Sequence, residues 1–373
     1  MGRNWADLPP ELLGLCSQDL CPNDLSAFRA VCHTWRSAAV EESSDVPWLM
    51  LGDKTGERCR EFFCLPCQRI HKKLLPQVKE TTCFSSRGWV LTIGRDWELH
   101  MLKNPMSRHS HIIKLPNLEK LPDAEVEDLL MHHHAYGYGD IIVKFVLSDS
   151  PTASVDYRVM VIFNGHNSGQ LGLWKPGDKE WTEVITPDSF NLDVIFYEGC
   201  FYALNDVGDI LRCNAYGPTP FKAKRVFTMP RELMGWEQMY LVQSTTGSLL
   251  VVLRQGQWVV SRQGQYKSGG TFEFHVFEIN LKTKSWKGVK TLKNTSLFLG
   301  RNSSFPLEVD EKHHIKPNCI YFTDDFLDIS PYTKDGEGDD MGIYHLEDGT
   351  IEPHFQGKSC SPHSPPIWIE PNF

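Results

Sequence analysis

The sequence predicts a mainly β protein that carries a small helical domain at its N-terminus. Its 373 residues are enough for one small and one large domain. Apolar residues recur at steps of three and four near the start, whereas from about residue 61 short apolar strands alternate with turns rich in Gly, Asn, Asp and Pro. We therefore expect a helical domain over residues 2–45, a connector over 46–60 and a β domain over 61–373.

Two short helical patterns lie between Leu8 and Val40. The first opens at Pro9 and Pro10, where proline is tolerated because first-turn N–H groups have no intrahelical acceptor. The second follows Pro22, and Asn23 or Asp24 is expected to cap its first turn. Its apolar stripe consists of Leu25, Phe28, Val31, Cys32, Trp35 and Ala39. A unit of about 40 residues cannot bury so many large apolar side chains, so the stripe is predicted to meet a partner.

The later strands fall into five groups, and two of the groups match each other in detail. Residues 173–184 and 277–289 each give a strand, a turn and a second strand with a tryptophan at one position, Trp181 or Trp286. This pattern is typical of blades in kelch-type propellers, and both tryptophans are predicted to be core residues. Strands near residues 62–74 are expected to pair with residues 366–370 and close the ring. About six blades of roughly 50 residues result.

Composition and charge disfavour several classes of protein. A net charge of −9 argues against general binding of nucleic acid or an anionic membrane, both of which need a basic surface. The chain has neither an apolar leader at its start nor an apolar run of about 18 residues. Its eleven cysteines are an odd, scattered set, which is typical of a reducing compartment. We expect an intracellular protein of the nucleus and/or cytoplasm.

Cys64 and Cys67, with Cys59, His71 and Cys83 nearby, form the one candidate metal cluster in the sequence. A structural zinc site needs four Cys or His ligands, usually as two closely spaced pairs. Here the sequence shows a single pair, so zinc binding and redox chemistry are both disfavoured, and no metal or cofactor is expected.

Other conspicuous segments are interpreted as solvated loops. They are the three histidines at 132–134 and an acidic stretch that comprises Asp324, Asp325, Asp328 and residues 335–340. The acidic loop at 335–340 leaves open the attraction of a basic target or a cation. Phosphate-binding, hydrolase and zinc-protease motifs do not occur, so enzymatic chemistry is unsupported.

The N-terminal segment resembles an F-box. The matching residues are Leu8-Pro9-x-Glu11-Leu12-Leu13, Asp24-Leu25 and Phe28-Arg29-Ala30-Val31-Cys32-x-x-Trp35-Arg36-Ser37. The resemblance implies binding to a small Skp-type adaptor and through it to the cullin of a ubiquitin ligase. Carried over residue by residue, the adaptor contacts are Leu8, Pro9, Leu12, Leu13, Leu25, Phe28, Val31, Cys32 and Trp35. Cys16 departs from the family's usual Ile or Val and is expected to weaken the contact slightly, because cysteine packs as a small hydrophobe.

Most of residues 88–373 resembles the domain that follows the F-box in a large plant family of F-box proteins. The matching pieces are residues 102–105, 286–289, 297–300, 319–325 and 365–369. The resemblance implies a non-catalytic substrate-recognition subunit whose propeller holds an unknown target protein. The alternatives are an interaction propeller that works outside any ligase and, less favoured, a metal-dependent or sugar-binding propeller.

Overall fold

The structure is a computed structural model that describes most of the chain. The described residues are 5–18, 20–39, 46–54, 56–57, 59–94, 96–103, 105, 111–122, 141–164, 169–187, 190–233, 235, 238–260, 266–310, 315–325, 338–357, 359–361 and 364–371. The histidines at 132–134, Asp328 and residues 335–337 lie outside this set.

The helical unit contains a 3-10 turn and three α-helices. The turn is Trp5–Asp7, and the helices are α1 (Pro10–Gln18), α2 (Pro22–Arg29) and α3 (His33–Ala38). The expected second helix is therefore two helices. The expected cap is also wrong: Cys21 is the N-cap residue of α2, Pro22 takes the first helical position, and no side chain caps the helix.

The rest of the described chain is almost entirely β-strand. In chain order the strands are β1 (Trp48–Met50), β2 (Cys59–Cys64), β3 (Arg69–Leu74), β4 (Thr82–Ser86), β5 (Trp89–Ile93), β6 (Leu99–Lys103), β7 (Ile112–Leu115), β8 (Ile142–Leu147), β9 (Val159–Phe163), β10 (Gln170–Trp174), β11 (Thr182–Ile185), β12 (Asn191–Tyr197), β13 (Cys200–Asn205), β14 (Asp209–Cys213), β15 (Phe221–Thr228), β16 (Gln238–Gln243), β17 (Leu249–Val260), β18 (Tyr266–Asn280), β19 (Ser285–Val289), β20 (Thr295–Leu299), β21 (Phe305–Glu308), β22 (Cys319–Phe322), β23 (Gly342–His345), β24 (Ile351–Glu352) and β25 (Ile367–Ile369). A mainly β fold behind an N-terminal helical unit is thus confirmed.

The described strands form five hydrogen-bonded sheets. Three have four strands, in the orders β25-β1-β2-β3, β4-β5-β6-β7 and β16-β17-β18-β19. A fourth has the order β21-β20-β22-β23-β24, and the fifth has eight strands. The eight-stranded sheet is two antiparallel groups, β8–β11 and β12–β15, joined where β11 and β15 pair in parallel. Because this pairing joins the outer strands of two groups, the two groups count as one sheet, and the number of sheets is five where six blades were expected.

The sheets are arranged around a ring. The edge strands β25, β4, β8, β12, β16 and β21 contact one another in that order. Phe305 of β21 and Trp368 of β25 share one apolar cluster, which completes the circuit. Each of these strands is largely buried. The core is therefore divided among the interfaces between neighbouring sheets.

The first and last strands close the ring, as the sequence predicted. β25 pairs with β1, at Trp48 opposite Ile369, and β1 pairs with β2 on its other side. The expected pairing of residues 62–65 with 366–370 is therefore indirect, because β1 lies between them. β1 also falls within the expected connector, so the sheet begins before residue 61.

The two matched tryptophans have different environments. Trp181 is 5% exposed and its Nε1 donates to the Pro116 carbonyl at 3.1 Å, so its assignment to the core is confirmed. Trp286 is 40% exposed, which contradicts the same assignment. It lies on β19, the outer edge strand of its sheet, and its ring contacts Phe277 at 5.3 Å. Among the described strands none continues that sheet beyond β19, whereas β11 is covered by its pairing with β15.

Candidate functional site

The three helices enclose a small apolar interior. Leu13 of α1 and both Leu25 and Phe28 of α2 are buried. The Phe28 ring lies 4.4 Å from the ring of Trp35 on α3, measured between centroids. The three helices are therefore held together by a few side chains, as expected for a unit this small.

Several large apolar side chains of the helical unit remain in solvent. Leu12 is 47% exposed, Leu15 is 59% exposed and Val31 is 59% exposed, and Pro9 is exposed as well. Pro9 directly precedes α1, and Leu12 and Leu15 follow it at steps of three, so these three residues lie along one side of the helix and its start. We call the exposed residues Pro9, Leu12, Leu15 and Val31 the F-box surface. Several exposed apolar side chains on so small a unit make it a candidate interaction site.

The break between α2 and α3 presents Val31 to solvent. The N–H groups of Ala30 and Val31 bond to the carbonyls of Ala27 and Phe28, which ends α2 in a tight turn. Arg36 of α3 then donates through Nε to the Arg29 carbonyl at 3.1 Å. An arginine at a helix C-terminus satisfies a carbonyl that has no partner inside the helix. The apolar stripe of the sequence is thus divided between two helices that this contact joins.

The structure separates the nine sequence-predicted adaptor contacts into three groups. Pro9, Leu12 and Val31 are exposed, and Leu8, Cys32 and Trp35 are half-buried. Leu13, Leu25 and Phe28 are buried, so they position the helices and offer little surface of their own. Cys16 is exposed on α1. Leu15 is exposed as well and was not among the predicted contacts, although its position three residues after Leu12 places it on the same side of α1.

The helical unit contacts the propeller at the start of α2. Cys21 is buried in an apolar cluster with Trp48, Phe62 and other residues of the closing sheet. Three residues after Cys21, Asp24 forms an ion pair with Arg69, the first residue of β3. The N-terminus of α2 is thus fixed against the turn that joins β2 to β3.

A groove of about 580 Å³ opens on the propeller, at the two joined blades. Its lining includes Arg158, Lys175, Lys179, Tyr216 and Phe221, which come from the β8–β9, β10–β11 and β14–β15 connections or their borders. Strand direction alternates within each blade, so the connection between the first and second strands and the connection between the third and fourth strands lie at the same end of the blade. The β8–β9 connection is of the first kind, and the β10–β11, β14–β15 and β2–β3 connections are of the second kind, so all four lie on one face of the ring. The groove therefore opens on the face where the helical unit is attached.

Three acidic residues of the stretch, Asp324, Asp325 and Asp340, are structural, which corrects their interpretation as part of a solvated loop, whereas Asp339 is exposed. Asp325 accepts a bond from Arg254 Nη1 at 2.8 Å and another from the Tyr240 hydroxyl at 3.0 Å. Asp340 accepts from Arg254 Nη2 at 2.8 Å. Asp324 accepts from the Gly338 amide, and burial raises the pKa of its carboxyl. These carboxylates are engaged inside the protein and are not available to a target.

Helices with an exposed apolar surface, carried on a closed ring of sheets, define a protein with a small N-terminal helical domain and a β-propeller. The chain belongs to the KIB1-4 beta-propeller family, whose model matches residues 62–345, and the F-box domain model matches residues 5–45. It is an F-box protein with a propeller, of the kind found in plants.

Three curated relatives from Arabidopsis thaliana match most of the chain. The F-box protein SKIP23 is 23% identical over 94% of this chain and 91% of its own length. The F-box protein At2g17036 is 23% identical over 85% of this chain and 81% of its own length. A relative whose name includes a kelch repeat, At5g24040, is 24% identical over 86% of this chain and 87% of its own length.

The helices of the described residues are all too short or too polar to cross a membrane.

Proposed function

We propose that this protein is the substrate-recognition subunit of a Skp-cullin-F-box ubiquitin ligase. The helical domain, residues 2–45, binds a Skp-type adaptor and through it a cullin, and the propeller binds a target protein. The observation that carries the proposal is the F-box surface: Leu12, Leu15 and Val31 are each about half exposed on a unit that matches the F-box model. Burial of such side chains at an interface stabilises it by about 25 cal/mol per Å² of apolar surface.

The protein's contribution to ubiquitylation is proximity. The adaptor side of the complex brings the ubiquitin-charged enzyme, and the propeller holds the target beside it, which raises the effective concentration of target lysines. This role needs no chemistry from the chain itself, so we propose a non-catalytic subunit without a cofactor. A net charge of −9 agrees with a protein target and with neither nucleic acid nor membrane as partner.

The groove on the joined blades is the surface that we propose for the target. It combines cationic, anionic and aromatic side chains, such as Lys175, Glu180 and Tyr216, which suits a polar peptide segment. Because it opens on the face that carries the helical unit, a target bound there lies on the adaptor's side of the ring. Ligases of this kind work in the nucleus and the cytoplasm, and we propose one or both as its location.

Co-purification with a Skp-type adaptor tests the proposal. Wild type is expected to form a one-to-one complex, and the triple variant Pro9→Ala, Leu12→Ala, Val31→Ala is expected to bind at least about 30-fold more weakly, since interface anchors each contribute about 1–2 kcal/mol or more. Val155→Ala is the matched control, because Val155 is an exposed valine of the propeller.

A folded wild-type sample that binds no adaptor would refute the ligase proposal and favour an interaction propeller that works outside a ligase. Binding that the triple variant retains in full would move the adaptor contact away from the F-box surface.

A further inference from the structure

Three thiols and one imidazole converge where the helical unit meets the propeller. Cys21 lies at the N-terminus of α2, Cys64 ends β2, Cys67 is in the following turn and His71 is on β3. The Sγ atoms of the three cysteines and a ring nitrogen of His71 all lie within 4.8 Å of one another. Cys21 and Cys64 are buried, and Cys67 is partly buried. The sequence argument against a metal was that only one closely spaced pair of ligands, Cys64 and Cys67, is present. The fold brings Cys21 and His71 beside that pair and so completes a set of four.

The distances match the edges of a tetrahedron of ligands around zinc. Nε2 of His71 lies 3.3 Å from Sγ of Cys67 and 3.7 Å from Sγ of Cys21. With Zn–S near 2.3 Å and Zn–N near 2.0–2.1 Å, a tetrahedral site places sulfur and nitrogen ligands about 3.6 Å apart. The two observed separations lie on either side of that value.

The backbone places the thiols at two defined points of the fold. Cys21 is the N-cap residue of α2, where the helix dipole favours negative charge such as that of a thiolate. The tight turn after Cys64 is closed by the Gln68 amide, which donates to the Cys64 carbonyl at 2.9 Å, and Gln68 adopts a φ of 53°.

We propose that Cys21, Cys64, Cys67 and His71 form a structural zinc site that fastens the F-box to the propeller. Four protein ligands close the coordination sphere and leave no position for a substrate, which is typical of a structural site. Thiolate and imidazole ligands in tetrahedral array select zinc over magnesium or calcium.

The proposed site would cross-link the helical unit to the propeller. One ligand comes from the helical unit and three come from the closing sheet, so the ion cross-links residue 21 to residues 64–71. Apart from the apolar packing of Cys21, the junction includes the Asp24–Arg69 ion pair, and Arg69 is largely exposed. An exposed ion pair contributes little to stability, because water screens the attraction. The orientation of the adaptor relative to the propeller would then depend on zinc.

Metal content of the full-length, tag-free protein, purified with a reductant, tests the proposal. Elemental mass spectrometry is expected to find about one zinc per chain in wild type and a fall of roughly tenfold or more in Cys67→Ser and in His71→Ala. The control for the thiol is Cys83→Ser, because Cys83 is buried in the same apolar cluster but is not among the four ligands. The control for the imidazole is His100→Ala, and both controls are expected to keep the zinc.

A second measurement needs no variant. Wild type loaded with Co²⁺ is expected to show the intense visible and thiolate charge-transfer bands of tetrahedral cobalt, and both sets of bands should disappear on addition of zinc. Less than about 0.1 zinc per chain in folded wild type, even after incubation with zinc, would overturn the proposal. Equal zinc in the ligand variants and their controls would do so too, as would a disulfide between any two of the three cysteines at cytosolic glutathione poise.

Discussion

The helical unit and the propeller differ in how completely they bury their apolar side chains. All five residues of β5, from Trp89 to Ile93, are buried, because sheets pack on both of its faces. In α1, by contrast, Leu13 is buried while Leu12 and Leu15, on either side of it, remain in solvent. The propeller completes its own core, and the helical unit leaves part of its apolar surface exposed. The difference teaches that the two parts depend to different degrees on their own packing, and it agrees with the adaptor-binding role proposed for the helical unit.

Buried charge distinguishes the two regions as well. Arg254 is fully buried in the propeller and is held by Asp325, Asp340, the Tyr240 hydroxyl and the Thr323 carbonyl. These groups come from two neighbouring sheets and their connections, so the arginine ties one blade to the next. In the helical unit the corresponding polar contact, from Arg36 to Arg29, is exposed.

The largest expected effect on stability comes from breaking this buried network. Arg254→Met leaves Asp325 and Asp340 without their cation, and the free energy of unfolding is expected to fall by about 3–5 kcal/mol. Chemical denaturation followed by near-ultraviolet circular dichroism measures it. Arg212→Met is the control, since Arg212 is exposed on β14, and it should change stability by less than about 0.5 kcal/mol. A loss that small for Arg254→Met would mean that the network does not hold the blades together.

The next effect is a dependence of propeller stability on pH. His354 is buried against the Trp368 ring and its Nε2 donates to the Phe322 carbonyl at 3.1 Å. Burial lowers the pKa of His354 from 6.5 to about 4. The unfolded chain therefore binds a proton more readily between pH 6.5 and 4, so the contribution of His354 is fully present above pH 6.5 and is lost as the pH falls to about 4. The loss amounts to about 3 kcal/mol.

Denaturation of wild type and His354→Gln at pH 7 and pH 4.5 checks this expectation. The variant should show a weaker loss of stability over that range, while His100→Gln, a half-exposed control beside Glu98, should behave as wild type. Identical pH profiles for wild type and His354→Gln would contradict the assignment.

The smallest of the three effects is a difference in stability between a buried and an exposed leucine variant of the helical unit. Leu25 is buried, so Leu25→Ala is expected to destabilise the unit by about 2 kcal/mol, whereas the exposed Leu12→Ala should change its stability by less than about 0.5 kcal/mol. Hydrogen exchange should show faster exchange in α1 to α3 for Leu25→Ala, with propeller amides unchanged. Faster exchange in the propeller strands as well would show that the two regions unfold together.

Much of this architecture could be predicted from the sequence, because it depends on local patterns of residues. The proline at the start of α1, the alternation of short strands with Gly, Asn and Asp turns, and the F-box residues between Leu8 and Ser37 are signals of a few residues each. The closure of the ring also followed from sequence, since an all-β ring needs its first and last strands to cover one another's edges.

Tertiary structure decided what depends on residues far apart in the chain. It placed Cys21 beside Cys64, Cys67 and His71, turned Asp325 towards Arg254, and left Trp286 on an outer edge while covering its counterpart Trp181. No local sequence pattern predicts these contacts, because each depends on which strands and helices meet in the folded ring. The sequence by itself therefore determined the type and order of most elements, and the packing of those elements determined which apolar side chains of the helical unit stay exposed, the buried network and the cluster of thiols.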